Sequence, residues 1–165
     1  GTHNRLMSLG PEYLEVIAID PAAVAPPQPR WFDLDRFAGS ARATTWICRC
    51  EDLDAALDAA PPGTGVAWPL ARGDLSWRMA VPVDGILPFD GLFPALIQWE
   101  GTAHPAPRLT DTGARLTGLR LFSPRADALR AALAPLVADA RIEVIASDAP
   151  RMEAVITTPE GEVVV

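Results

Sequence analysis

The sequence has little cysteine, no surplus of positive charge and no apolar run long enough to span a bilayer, and each shortage excludes something. The two cysteines, Cys48 and Cys50, stand two apart in an expected strand, so they share a face and cannot readily bridge to each other. Free thiols point to a reducing compartment, and the cytoplasm is the expected location. A formal net charge of -7 lacks the electrostatic footprint that binds phosphate backbones, so nucleic acid is not an expected partner. Without a spanning segment or a signal-peptide pattern, neither is a membrane. No phosphate loop, nucleophile elbow, paired-cysteine zinc framework or HExxH motif occurs.

What is present is a globular composition. The chain has 165 residues, 49% of them hydrophobic and 21% charged, enough to bury a real core. Seventeen prolines cluster in connections. Residues 2–9 and 13–19 alternate like strands around Gly10-Pro11-Glu12, a turn by composition. Residues 20–30 form a stiff connector with four prolines, followed by a docked turn or short helix at Trp31–Leu34. A strand is expected over 44–50 and a helix over 51–60, its acidic first turn suiting the helix dipole and Pro61-Pro62-Gly63 stopping it. Strands follow at 65–71, 75–82 and 95–100. The next group is a strand over 116–122, a helix over 125–137 that Pro135 should end, and strands at 141–147, 151–158 and 162–165. The pattern is α+β, built from repeated β-α-β-β(-β) modules.

The strings GTHN, YLEVIAID, PRWF, TTWICRCEDLDAAL, SWRM and IQWEGTAHP, in this order, resemble the glyoxalase-like domain family of the vicinal oxygen chelate superfamily, which includes glyoxalases, bleomycin-resistance proteins and extradiol dioxygenases. The resemblance implies one domain over 1–165: a partial first module (1–43), a second module (44–113) and an extra C-terminal β-α-β-β half-module (114–165). It also implies that a first strand and helix, carried by family members before GTHN, are missing here. Such modules curve into a half-barrel sheet with helices outside and a ligand or metal in the trough. Metal ligands there are usually His or Glu on the first and last strands of each module. Glu15 matches one such position, but Thr44, Thr45 and Trp46 offer no histidine, and Gln98 stands where Glu is expected.

If the chain is an enzyme, the resemblance implies isomerase, lyase or dioxygenase chemistry on a small oxygenated organic molecule. Glu15 would then be a ligand to a divalent metal (Fe, Mn, Zn or Ni) or a general base. The rival expectation is a binding protein that sequesters a small molecule without metal, favoured by the missing ligand positions. A third is a dimerisation module whose exposed edge is covered by a second copy.

Residue by residue, Glu15 is the sharpest candidate. Tyr13, Ile17 and Ile19 share its face and Leu14, Val16 and Ala18 share the other, so a carboxylate in this strand must be paired, hydrogen-bonded, metal-bound or protonated. Glu143 sits in a similar string, but Arg141 and Ser147 share its face and solvent accounts for it. For a hairpin centred on Pro11, Glu15 lies opposite Met7 and His3 opposite Ile19. The two side chains are then roughly 13 Å apart at strand rise, too far for one metal, though His3 could still line a trough. His104, held extended before Pro105, could reach the trough mouth. Arg78 and Arg30 are candidate guanidinium partners for an anionic ligand, and Gln98 is a further candidate ligand contact. For each of these a surface or structural role is the plainer alternative, and the five tryptophans are expected mainly in the core.

Overall fold

The computed structural model describes residues 1–165. It is an α+β chain of two helices and ten strands in three open sheets. A hairpin, β1 (Thr2–Ser8) and β2 (Tyr13–Ile19), stands as a two-stranded sheet. The second sheet contains β3 (Ile47–Arg49), β4 (Val66–Arg72), β5 (Leu75–Val81) and β6 (Ala95–Trp99), with α1 (Leu53–Ala59) between β3 and β4. The third contains β7 (Arg115–Ser123), β8 (Ile142–Ala146), β9 (Arg151–Thr158) and β10 (Gly161–Val164), with α2 (Ala126–Leu133) between β7 and β8. Neither helix is long and apolar enough to cross a membrane.

The second sheet runs β3-β6-β5-β4, with β3 parallel to β6. Its chain therefore leaves one edge, crosses the sheet through α1 and returns at the other edge. Asp52 starts α1 by accepting from the backbone N–H groups of Asp54 and Ala55 at 3.0 and 3.1 Å. Leu53 and Ala56 are the buried residues of α1, and they pack on Ala80 and Leu96. Small side chains on both partners let the helix approach the sheet closely.

The third sheet has the same order of elements along the chain but a different order in space, β10-β9-β7-β8. Here α2 returns the chain to the strand beside β7, so the first strand of the group is interior rather than at an edge. The two groups repeat in sequence without being copies in space. Leu129 and Leu133, one turn apart on α2, bury against Leu119, Leu121 and Met152, and Phe93 from the second sheet's loop completes this core. The helix stops two residues before Pro135, earlier than the periodicity to residue 137 suggests, because the proline cannot continue the hydrogen-bond ladder.

The hairpin is fixed at its turn. Leu9 is buried against Ala114 and Ile156, and Glu12 pairs with Arg141 at 2.7 Å. The turn closes with Leu9 N–H donating to the Glu12 carbonyl at 3.0 Å, so the ladder is centred between Gly10 and Pro11. This corrects the expected register by one residue: Glu15 faces Leu6 and His3 faces Ala18. A one-residue slip moves a side chain to the opposite face, and His3 consequently lies on the outer face, away from Glu15.

Phe93 is fully buried at the junction of the second and third sheets. Phe93→Ala is expected to cost about 3–5 kcal/mol by chemical denaturation, whereas Val163→Ala on exposed β10 should stay within about 0.5 kcal/mol.

Candidate functional site

Register decides which side chains of the second sheet meet. Trp77 is opposite both Leu70 and Trp99, Met79 is opposite Trp68 and Ile97, and Arg49 is beside Ile97. These residues share one face with Arg72. The other face, with Cys48, Ala80 and Leu96, is the one α1 covers. Helix and hairpin thus lie on opposite sides of the sheet.

Two bridges tie the inward face of the hairpin to the tryptophan face. At the β4 side, Arg72 Nη1 donates to Asn4 Oδ1 at 2.7 Å. At the β6 side, Tyr13 meets His104 with ring centroids 5.9 Å apart, and His104 stands edge-on to Trp99 at 4.9 Å. Trp99 continues to Trp77 at 5.3 Å. Between the bridges sits Glu15, whose Oε1 accepts from Asn4 Nδ2 at 2.5 Å. These contacts put the Glu15 carboxylate on the hairpin face that turns toward the second sheet, aligned by an amide that is itself oriented by a guanidinium; the space between hairpin and tryptophan face is called the trough below. Only Glu15 Oε1 is engaged, so Oε2 is open to a further donor.

The electrostatics follow from this packing. Burial first, and then the charge of Glu15, push the Tyr13 phenol up to about 12, so it remains a neutral donor. Burial, and then the Arg49 guanidinium, hold His104 below the usual imidazole range. Ala106 N–H donates to His104 Nδ1 at 3.2 Å, which places the proton of the neutral ring on Nε2. Both thiols sit against the α1 side, and burial raises them, so neither is an activated nucleophile.

Of the residues singled out from the sequence, the structure brings Glu15 and His104 to the same trough, with Tyr13 between them. His3 is exposed on the outer hairpin face. Arg78 and Gln98 lie on the helix-covered face rather than in the trough. Arg78 makes a two-pronged pair with Asp54 at 2.7 and 3.0 Å. Gln98 accepts from Leu53 N–H at 3.1 Å and donates to the Glu51 carbonyl at 2.9 Å, joining the start of α1 to β6. Arg30 closes its own turn: its backbone N–H and its guanidinium both engage Asp35, and the turn docks on Gly85 through a 2.9 Å bond from Asp33 N–H. A Cβ at Gly85 would lie 2.2 Å from the Arg30 carbonyl oxygen, so only glycine admits this contact. Sequence reasoning missed Asn4 and Arg72, which join the hairpin to the second sheet. The available signal was parity: Asn4 shares the Glu15 face once the hairpin register is right.

A family model described as a glyoxalase-like domain matches residues 1–137. The chain belongs to this family. It is thereby a member of the vicinal oxygen chelate superfamily. The match takes in the hairpin, the second sheet and the third-sheet segment through α2. Searches of curated proteins and of solved structures found no match.

Metal sites in this superfamily need clustered His or Glu donors, and the glyoxalase-like trough here does not fit one. No three His, Cys, Asp or Glu side chains converge anywhere in the structure. Around Glu15 the neighbours are an amide and a phenol, with the indoles beyond, whereas transition metals prefer sets of imidazole, thiolate and carboxylate.

Two measurements check the geometry. Tyr13 is the sole tyrosine, so phenolate absorbance reports it alone. The midpoint is expected near about 12 and should fall in Glu15→Gln, which removes one of its two causes. The folded value exceeds the unfolded value of about 10, so this contribution to stability is intact below about pH 10 and is lost as pH rises through about 12. Gln98→Leu strands the Leu53 N–H and the Glu51 carbonyl, and should cost about 1–3 kcal/mol in denaturation without altering ligand binding in the trough.

Proposed function

We propose that the trough binds a small organic molecule through this chain's own side chains, without a metal. Glu15 accepts a hydrogen bond from the ligand, Tyr13 and the Nε2–H of His104 donate to it, and Trp77 and Trp99 stack on its apolar body. The observation that supports this is the Arg72–Asn4–Glu15 chain over the tryptophan face. A carboxylate fixed in one rotamer, with one oxygen open, is preorganised to receive a donor and loses little entropy on binding.

The same arrangement would let Glu15 act as a general base in an isomerase or lyase. An acidic C–H or O–H placed at Oε2 would give up its proton there, while Tyr13 donates to the oxygen on which charge develops. The asymmetry of donors around Glu15 favours binding as the function and leaves catalysis dependent on the ligand.

The test is calorimetry and NMR with phenol and 4-hydroxybenzyl alcohol in the presence of a chelator. Binding is expected, with the indole N–H resonances of Trp77 and Trp99 moving and those of Trp31 and Trp46 still. Glu15→Gln should weaken it about tenfold, the effect of losing a charged acceptor. Elemental analysis after reconstitution with Fe, Mn, Zn or Ni provides the opposing result: a stoichiometric metal that disappears in Glu15→Gln would replace this proposal with a metalloenzyme.

A further inference from the structure

We propose that Asp74 is a positioning residue for His104, acting through Arg108. The inference rests on the trough as the binding site and adds what holds one of its hydrogen-bond donors in place.

The segment that carries His104 follows β6 and belongs to no sheet. In His104-Pro105-Ala106-Pro107-Arg108 the two prolines fix φ at alternate residues, so the backbone has few ways to bend. It folds into a 3-10 turn over Ala106–Arg108, closed by Arg108 N–H to the Pro105 carbonyl at 2.9 Å and Leu109 N–H to the Ala106 carbonyl at 3.2 Å. The 3.2 Å bond from Ala106 N–H to His104 Nδ1 ties the imidazole to this turn. His104 and Arg108 are thus the two ends of one short, stiff lever. Over residues 101–110, the hydrogen bonds that leave the segment are the two from Arg108 to Asp74, Nη1 to Oδ1 at 2.7 Å and Nη2 to Oδ2 at 2.6 Å.

Asp74 is placed by its own turn. Gly73 and Asp74 alone join β4 to β5, with Arg72 opposite Leu75. Gly73 has φ +62°, which a two-residue hairpin loop with glycine in first place requires. Arg72, just before the loop, holds Asn4, and Asp74 holds Arg108. One tight turn therefore tethers both sides of the trough, Glu15 through Asn4 and His104 through Arg108. The Arg108–Asp74 pair is largely exposed and adds little to global stability, but its two parallel bonds fix direction as well as distance. Arg108 holds the Asp74 carboxyl below the usual carboxylate range, so the pair stays closed wherever an imidazole titrates.

Proton NMR titration of His104 tests this, with His3, exposed on the outer hairpin face, as the reference in the same spectra. The groups packed against His104 are Tyr13 from β2 and Trp99 from β6, with the charge of Arg49 from β3 also felt there. Burial and then Arg49 depress the imidazole, so its midpoint reports its position. Asp74→Ala should free the lever, return His104 toward water and raise that midpoint. Charge alone predicts the opposite sign, because losing an anion and leaving Arg108 uncompensated would lower it. Arg108→Ala should also raise it, and the double variant should raise it no further than the single ones, since the pair acts as a unit. Phenol affinity should fall about threefold to tenfold in the same variants, the effect of one misplaced donor. An unchanged or lowered His104 midpoint in Asp74→Ala overturns the inference and leaves the trough in place. Absence of phenol binding to the unaltered chain overturns the trough as a binding site, while the titration still decides whether Asp74 positions His104. The pair is exposed, so both variants are expected to fold, and a thermal melt run in parallel confirms it.

Discussion

A two-stranded hairpin in water is at best marginally stable, and the trough exists only because this one is held from outside. Its turn is anchored to the third sheet through Leu9 and through the pairing of Glu12 with Arg141, and its strands reach back to the second sheet through Asn4 and Tyr13. The third sheet therefore does more than extend the molecule. It is the fixed point from which the hairpin is suspended beside the tryptophan face. Loosening the Leu9 contact would move Glu15 without touching any residue in the trough.

Most elements were legible in the sequence because their signals are local. Asp52 as an N-cap, the proline stops after residues 60 and 134, and period-two alternation in the strands are readable without knowing the fold. What was not legible was which face is which. Alternation shows that Arg78 and Gln98 share a side of the second sheet and Trp77 and Trp99 the other. It does not say which side α1 will cover. That choice comes from the alanines, since Ala56 and Ala80 allow a close helix approach and the tryptophans would not. His3 failed for a smaller reason: a four-residue closure from Leu9 to Glu12 moved the hairpin centre by half a residue, enough to invert every side chain of one strand relative to the other.

The repeated module shows the same boundary between local and nonlocal information. Both groups read β-α-β-β, and both form. The path of the crossover differs, because α1 carries the chain from one edge of its sheet to the other, while α2 sets β8 down beside β7. Sequence periodicity specifies helix and strand, but the destination of a crossover depends on what the helix packs against. For α2 that is Phe93, supplied by the preceding sheet. The third sheet could not have this core without the second.

The carboxylate in an apolar strand posed the question that the site answers. An ionised group there must find a hydrogen-bond donor, a cation or a metal, or else take up a proton. In this chain the partner is the Asn4 amide, and Arg72 pulls on the far end of that amide, so a positive charge reaches Glu15 through a neutral spacer. A direct guanidinium pair would have closed both carboxylate oxygens, and a metal would have demanded two or three further anionic or imidazole donors. The spacer consumes a single lone-pair site. That leaves Oε2 unengaged, an acceptor on a carboxylate whose other oxygen is fixed by the fold, which is the property a site needs if it is to discriminate ligands by where they carry a hydrogen-bond donor.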